Sequence, residues 1–143
     1  MRILVLNGPN INLLGIRQPK IYGNNTYQNL KNLIFDYATK NKHMVDVVQS
    51  NHEGDLVDAL HASIDNYDAI VFNPAAYTHT SIALYDALLA IGLPCVEVHI
   101  SDIDNREDFR KINYIRKACV ASVSNQGING YISAIKILES RLK

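Results

Sequence analysis

The stretch that decides the fold is Arg2-Ile3-Leu4-Val5-Leu6-Asn7-Gly8-Pro9-Asn10, read with its counterpart Ala69-Ile70-Val71-Phe72-Asn73-Pro74. Each is an unbroken apolar run that ends in asparagine and a turn former. A strand wetted on one side alternates apolar and polar residues, whereas a strand covered on both sides does not, so these two runs read as central parallel strands. Met44–Gln49, Cys95–His99 and Ala118–Ser124 are the other strand candidates. Asp46 in the second and the alternating small residues of the fifth suit sheet edges.

Helical periodicity fills the intervals. Leu30, Leu33, Ile34, Tyr37 and Ala38 form one stripe behind Thr26 as N-cap, and Leu56, Val57, Leu60 and Ile64 mark a second helix over Glu53–Ile64. A third runs from Ser81 to Ile91 and is stopped by Gly92 and Pro94, and a last one carries Tyr131, Ile132, Ile135, Leu138 and Leu142. Strands alternating with helices demand a parallel sheet covered on both faces. The expectation is a single-domain α/β fold over residues 1–143, a flavodoxin-like three-layer sandwich with a five-stranded parallel sheet of order 2-1-3-4-5.

Composition excludes several classes. The chain has 143 residues, 48% of them hydrophobic, with 14 basic against 14 acidic side chains and no block of like charge. Broad attraction to nucleic acid or membrane has no support, and no apolar run approaches the roughly 20 residues of a membrane span. The apolar run after Met1-Arg2 is too short for a signal peptide. Cys95 and Cys119 stand singly without ligand spacing, so both read as packed thiols in a reducing cytoplasm.

In an open parallel sheet of this order, ligands bind beyond the carboxyl ends of the strands, between strands 1 and 3. The sequence crowds that rim with Asn7-Gly8-Pro9-Asn10, with Asn73-Pro74 and Tyr77-Thr78-His79-Thr80-Ser81, and with Glu97-Val98-His99-Ile100-Ser101. Taken singly, these residues also read as turn formers and helix caps. The first turn lacks the glycine pattern of a phosphate cradle, which argues against nucleotide or flavin. Asn7 and Asn73, uncharged, exclude an aspartyl-phosphate receiver.

Residues 8–25 form a connection longer than the usual two to six, bracketed late by Gly15 and Gly23 and able to act as a lid carrying Arg17 and Tyr22. A phenol loses its proton near pH 10 in water, so a tyrosine base at neutral pH needs about 4 kcal/mol of help, which a guanidinium can give. Arg17 is the nearest candidate; a surface arginine beside a half-buried tyrosine is the other reading. Glu97 and His99, two apart on a strand, leave the same face and can pair as a carboxylate-held acid or base, or else be a core histidine beside a solvated glutamate. His99, Asp102 and Asp104 lack metal-ligand spacing, and His43, His52 and His61 read as structural. The run Arg106–Arg110 reads as a solvated helical face that brings Arg110 back to the rim.

Together these motifs, with Leu13-Leu14-Gly15-Ile16-Arg17-Gln18-Pro19, Ile21-Tyr22-Gly23 and Gln49-Ser50-Asn51-His52-Glu53-Gly54, resemble the type II 3-dehydroquinate dehydratases. The likeness is collinear from Arg2 to the last helix. It implies a cofactor-free and metal-free anti elimination of water from 3-dehydroquinate, giving 3-dehydroshikimate through an enolate. It further implies Tyr22 as base beside Arg17, a water held with the help of Asn10, and His99, paired with Glu97, as acid. Asn73, His79 and Arg110 would contact ring hydroxyls, and Ile100 and Ser101 the carboxylate. Asp86 would reach a neighbouring subunit's site, in trimers grouped into dodecamers.

Gln18 stands where the family usually has Glu, and Ala75 where Gly is common; Ala75 matters only if that position needs a positive φ. Two other readings are a catalytically silent small-anion binding module on the same scaffold and a metal-dependent hydrolase using His79 and His99.

Overall fold

A computed structural model describes residues 1–16 and 18–143. Strands β1 (Arg2–Asn7), β2 (Met44–Gln49), β3 (Ala69–Asn73), β4 (Cys95–Val98) and β5 (Ala121–Val123) form one sheet, all parallel, in the order β2-β1-β3-β4-β5. The sequence-based order is the observed one. Two strands are shorter than their apolar runs imply: β4 ends at Val98, although the His99 N–H still donates to the Val123 carbonyl at 2.9 Å, and Ala118 ends a single 3-10 turn begun at Arg116.

Alternation along the central strands sorts the core into two layers. Ile3, Val5, Val71, Val96 and Val98 pack against α2 (Tyr27–Lys40) and α5 (Asn129–Arg141), while Leu4, Leu6, Ile70 and Phe72 meet α3 (Glu53–Ala62) and α4 (Ile82–Ile91). Successive side chains on a strand point to opposite faces, so an unbroken apolar run serves both layers. Each large apolar side chain so buried stabilises by about 1.5–3 kcal/mol.

Local chemistry fixes the helix starts. Thr26 Oγ1 accepts from the Asn29 N–H while the Asn29 side chain accepts from the Thr26 N–H, a reciprocal cap at α2. Ser81 Oγ accepts from the Leu84 N–H and starts α4, which Gly92 ends at φ 68°. Within residues 8–25 the described chain makes a 3-10 turn over Ile11–Leu13 and a short helix α1 (Pro19–Tyr22).

The two cysteines are not independent. Cys95 at the start of β4 and Cys119 before β5 bring their Sγ atoms to 3.7 Å, as neighbouring thiols. No described helix is long and apolar enough to cross a membrane.

Candidate active site

The carboxyl ends of β1 and β3 lie side by side, Asn7 in register with Asn73. Gly8 makes this approach possible: its N–H donates to the Asn73 carbonyl at 2.8 Å, and a Cβ there would sit 2.4 Å from the Pro74 carbonyl oxygen. No side chain fits. Beyond this junction a cavity is lined by Asn10, Tyr22, Asn73, His79, His99, Ile100, Ser101 and Arg110, with Arg106 between the last two.

The histidine side is built on the end of β4. Glu97 is fully buried and its Oε2 lies 2.9 Å from His99 Nε2, so the solvated-glutamate reading is wrong. Burial raises the Glu97 pKa, but hydrogen bonds and charge from His99 and a hydrogen bond from Arg116 outweigh it, leaving the group at about 2. An ionised carboxylate only accepts, so the His99 proton on Nε2 is fixed and Nδ1 is the exchangeable nitrogen. Glu97 itself is not in the cavity lining; it touches the cavity only through His99.

Tyr22 meets a cation that sequence reasoning did not assign. Arg106 Nη1 donates to the Tyr22 hydroxyl at 2.8 Å and to Ser101 Oγ at 3.4 Å, and the guanidinium carbon sits 5.3 Å from the Tyr22 ring centre. Arg106 lies five residues after Ser101 in the run read as a solvated face; its side chain is instead 11% exposed. The available signal was that this run follows β4 closely enough for its side chains to return to the rim. Arg17 lies outside the described residues.

Asn10 adopts the left-handed conformation at φ 69°, which asparagine tolerates, and its N–H donates to Asn51 Oδ1 at 3.0 Å. Gln49 Nε2 and the Tyr77 hydroxyl also hold Asn51, through its Oδ1 and its carbonyl. Asn73 Oδ1 accepts from the Ala75 N–H and its Nδ2 donates to the buried Tyr131 hydroxyl, which donates to Asn7 Oδ1. This fixes the amide and leaves one Asn73 N–H for a ligand.

His79 Nδ1 lies 2.6 Å from the Ile112 carbonyl, so Nδ1 carries the proton and Nε2 is an acceptor. Burial, with the nearby Arg110, His99 and Arg106 charges, holds its pKa below the usual histidine value against the pull of that carbonyl. Arg110 pairs through Nε with Glu107. The N–H groups of Ile100 and Ser101 have no hydrogen-bond partner among the described residues. Asp86 is exposed on α4 and does not line the cavity of its own chain. Ala75 has φ 54°, so the position does require left-handed backbone.

Among the described residues no three His, Cys, Asp or Glu side chains converge as metal ligands would. A phenol held by a cation and an imidazole held by a carboxylate line the same cavity, and such groups can move protons. The fold and the cavity thus define a flavodoxin-like α/β enzyme of the acid–base kind.

The sequence matches the family "Dehydroquinase class II" over residues 1–139. It is 47% identical over 142 residues to a 3-dehydroquinate dehydratase of Clostridium acetobutylicum, covering 99% of each chain. It is 48% identical to a catabolic 3-dehydroquinase of Talaromyces marneffei, over 94% of this chain and 77% of that one. The crystal structure of a type II dehydroquinase from Butyrivibrio crossotus superposes with a TM-score of 0.96 at 45% identity, covering 97% of each chain. The chain belongs to the class II dehydroquinase family.

Proposed function

We propose that this chain is a hydro-lyase that removes water from 3-dehydroquinate by anti elimination, giving 3-dehydroshikimate, a step of the shikimate route to aromatic compounds. The observation that carries the reading is that the Arg106-held Tyr22 hydroxyl and the Glu97-held His99 ring border one cavity. A cation donating to the phenolic oxygen stabilises negative charge there. As a phenolate, Tyr22 takes the proton from the carbon beside the ketone, and the electron pair moves onto the carbonyl oxygen as an enolate. The enolate meets a water that Asn10 helps to hold. It then collapses, breaking the bond to the tertiary hydroxyl, which leaves as water with the proton from His99.

The remaining lining residues position the ring. His79 Nε2 accepts from one hydroxyl, while Asn73 and Arg110 donate to others. The Ile100 and Ser101 N–H groups and the Ser101 hydroxyl hold the carboxylate. Arg17 acts as a second cation beside Tyr22. Asp86 serves a neighbouring subunit's cavity, in trimers assembled as dodecamers in the cytoplasm. The partner is the small-molecule substrate, without nucleic acid or membrane.

Tyr22→Phe tests this directly, because it deletes only the oxygen. Turnover of 3-dehydroquinate is expected to fall about 10²–10⁴-fold with KM little changed. Normal turnover in that variant contradicts the base assignment.

A further inference from the structure

Glu97 holds more partners than His99 alone requires. Arg116 Nε donates to its Oε1 at 2.7 Å, and Asn113 Nδ2 lies 3.1 Å from both oxygens. Asn113 cannot turn away. Its Oδ1 accepts the N–H groups of Ile115 and Arg116, each at 2.9 Å, which leaves Nδ2 for the carboxylate. These residues sit sixteen and nineteen positions downstream of Glu97, on the connection that returns to β5.

We propose that Arg116, seconded by Asn113, is a positioning residue for the dehydration: it fixes Oε1 of Glu97 so that Oε2 stays on His99 Nε2, and its permanent charge offsets the carboxylate's. The proposal rests on the reading of His99 as the acid. With Arg116 present the carboxylate is already neutralised, so a proton on the His99 ring adds an uncompensated charge. Without Arg116 that same proton would be the carboxylate's counter-charge, the ring would hold it more tightly, and it would be a weaker donor to a leaving hydroxyl.

Other groups bear on the pair and stay unchanged in the test. Cys95 shares β4 with Glu97, Ser122 on β5 faces the same carboxylate, and Cys119 lies on the return connection. Asp104 bears on Arg116, and His79 on His99. Because the Arg116 side chain is 44% exposed, its removal opens no large apolar cavity.

The experiment follows the His99 ring by nuclear magnetic resonance across pH, alongside the pH profile of kcat with 3-dehydroquinate, in wild type, Arg116→Met, Arg116→Gln and Arg116→Lys. Both charge-removing variants are expected to raise the His99 titration midpoint and the alkaline limb of kcat by about half to one pH unit. They are also expected to lower kcat about tenfold, with KM within about twofold. Arg116→Lys should restore the midpoint. An unmoved midpoint in Arg116→Gln, or Arg116→Lys behaving like Arg116→Gln, overturns the proposal even if Arg116→Met does not fold. If the wild type fails to turn over 3-dehydroquinate, the functional reading falls while the ring titration still decides the role of Arg116.

Discussion

The molecule contains two histidine–glutamate pairs at opposite ends of its sheet. His99 and Glu97 meet at 2.9 Å at the carboxyl rim, and His43 and Glu139 meet at 2.7 Å near the chain's first residue. The pairs differ in surroundings. The first is nearly closed off, 4% and 0% exposed, and stands under a cavity that also holds Tyr22 and Arg106. The second is 10% and 25% exposed, and its free valences go to the N-terminal amine and the Tyr37 hydroxyl, which close a local network. A histidine held by a carboxylate is thus not a site by itself. The rim pair differs in standing at the carboxyl ends of the strands, where open parallel sheets leave room for a ligand.

The sharpest way to break this comparison is to make the same substitution in both pairs. His99→Gln is expected to lower kcat by about 10³-fold while leaving thermal stability within a few degrees. His43→Gln is expected to leave kcat within twofold and to cost about 1 kcal/mol of stability, read as a lower urea midpoint, because it loosens the tie between the chain start and α5. Equal losses of turnover in the two variants would erase the distinction.

A smaller effect, common to both pairs, is the pH dependence of stability. Glu97 is held near 2 in the folded chain against an ordinary value of 4.5, so its paired carboxylate contributes stability that is complete above about 4.5 and is lost as pH falls toward 2. Glu139 is also held below its ordinary value by His43 and Tyr37, against burial, which gives the same sign. The stability deficit of Glu97→Gln relative to wild type should therefore shrink as pH drops through that window, as urea titrations at several pH values would show. A deficit constant from neutral pH to pH 2 contradicts the assignment.

What the sequence made legible follows its local rules. The unbroken runs of β1 and β3 announced central strands because burial on both faces removes alternation. Thr26, Ser81 and Gly92 marked helix ends because capping is a matter of one or two side chains. The rim residues were legible once the strand order was known, since topology brings all strand ends together.

What stayed hidden depends on contacts across the fold. Arg106 meets Tyr22 across 84 positions, and no spacing rule connects a residue after β4 to one before α2. Arg116 and Asn113 reach Glu97 through a connection whose path no periodicity dictates. Cys95 and Cys119 looked solitary because parallel neighbours lie far apart in sequence. The left-handed backbone at Ala75 was invisible for a different reason: alanine does not advertise a positive φ, as glycine would.

The most direct test of the whole account is to mix the purified protein with 3-dehydroquinate in the presence of a metal chelator and follow ultraviolet absorbance. The account predicts the steady growth of a conjugated-enone band at a rate unaffected by the chelator. Recovery of unchanged 3-dehydroquinate, or a rate abolished by the chelator, would contradict it.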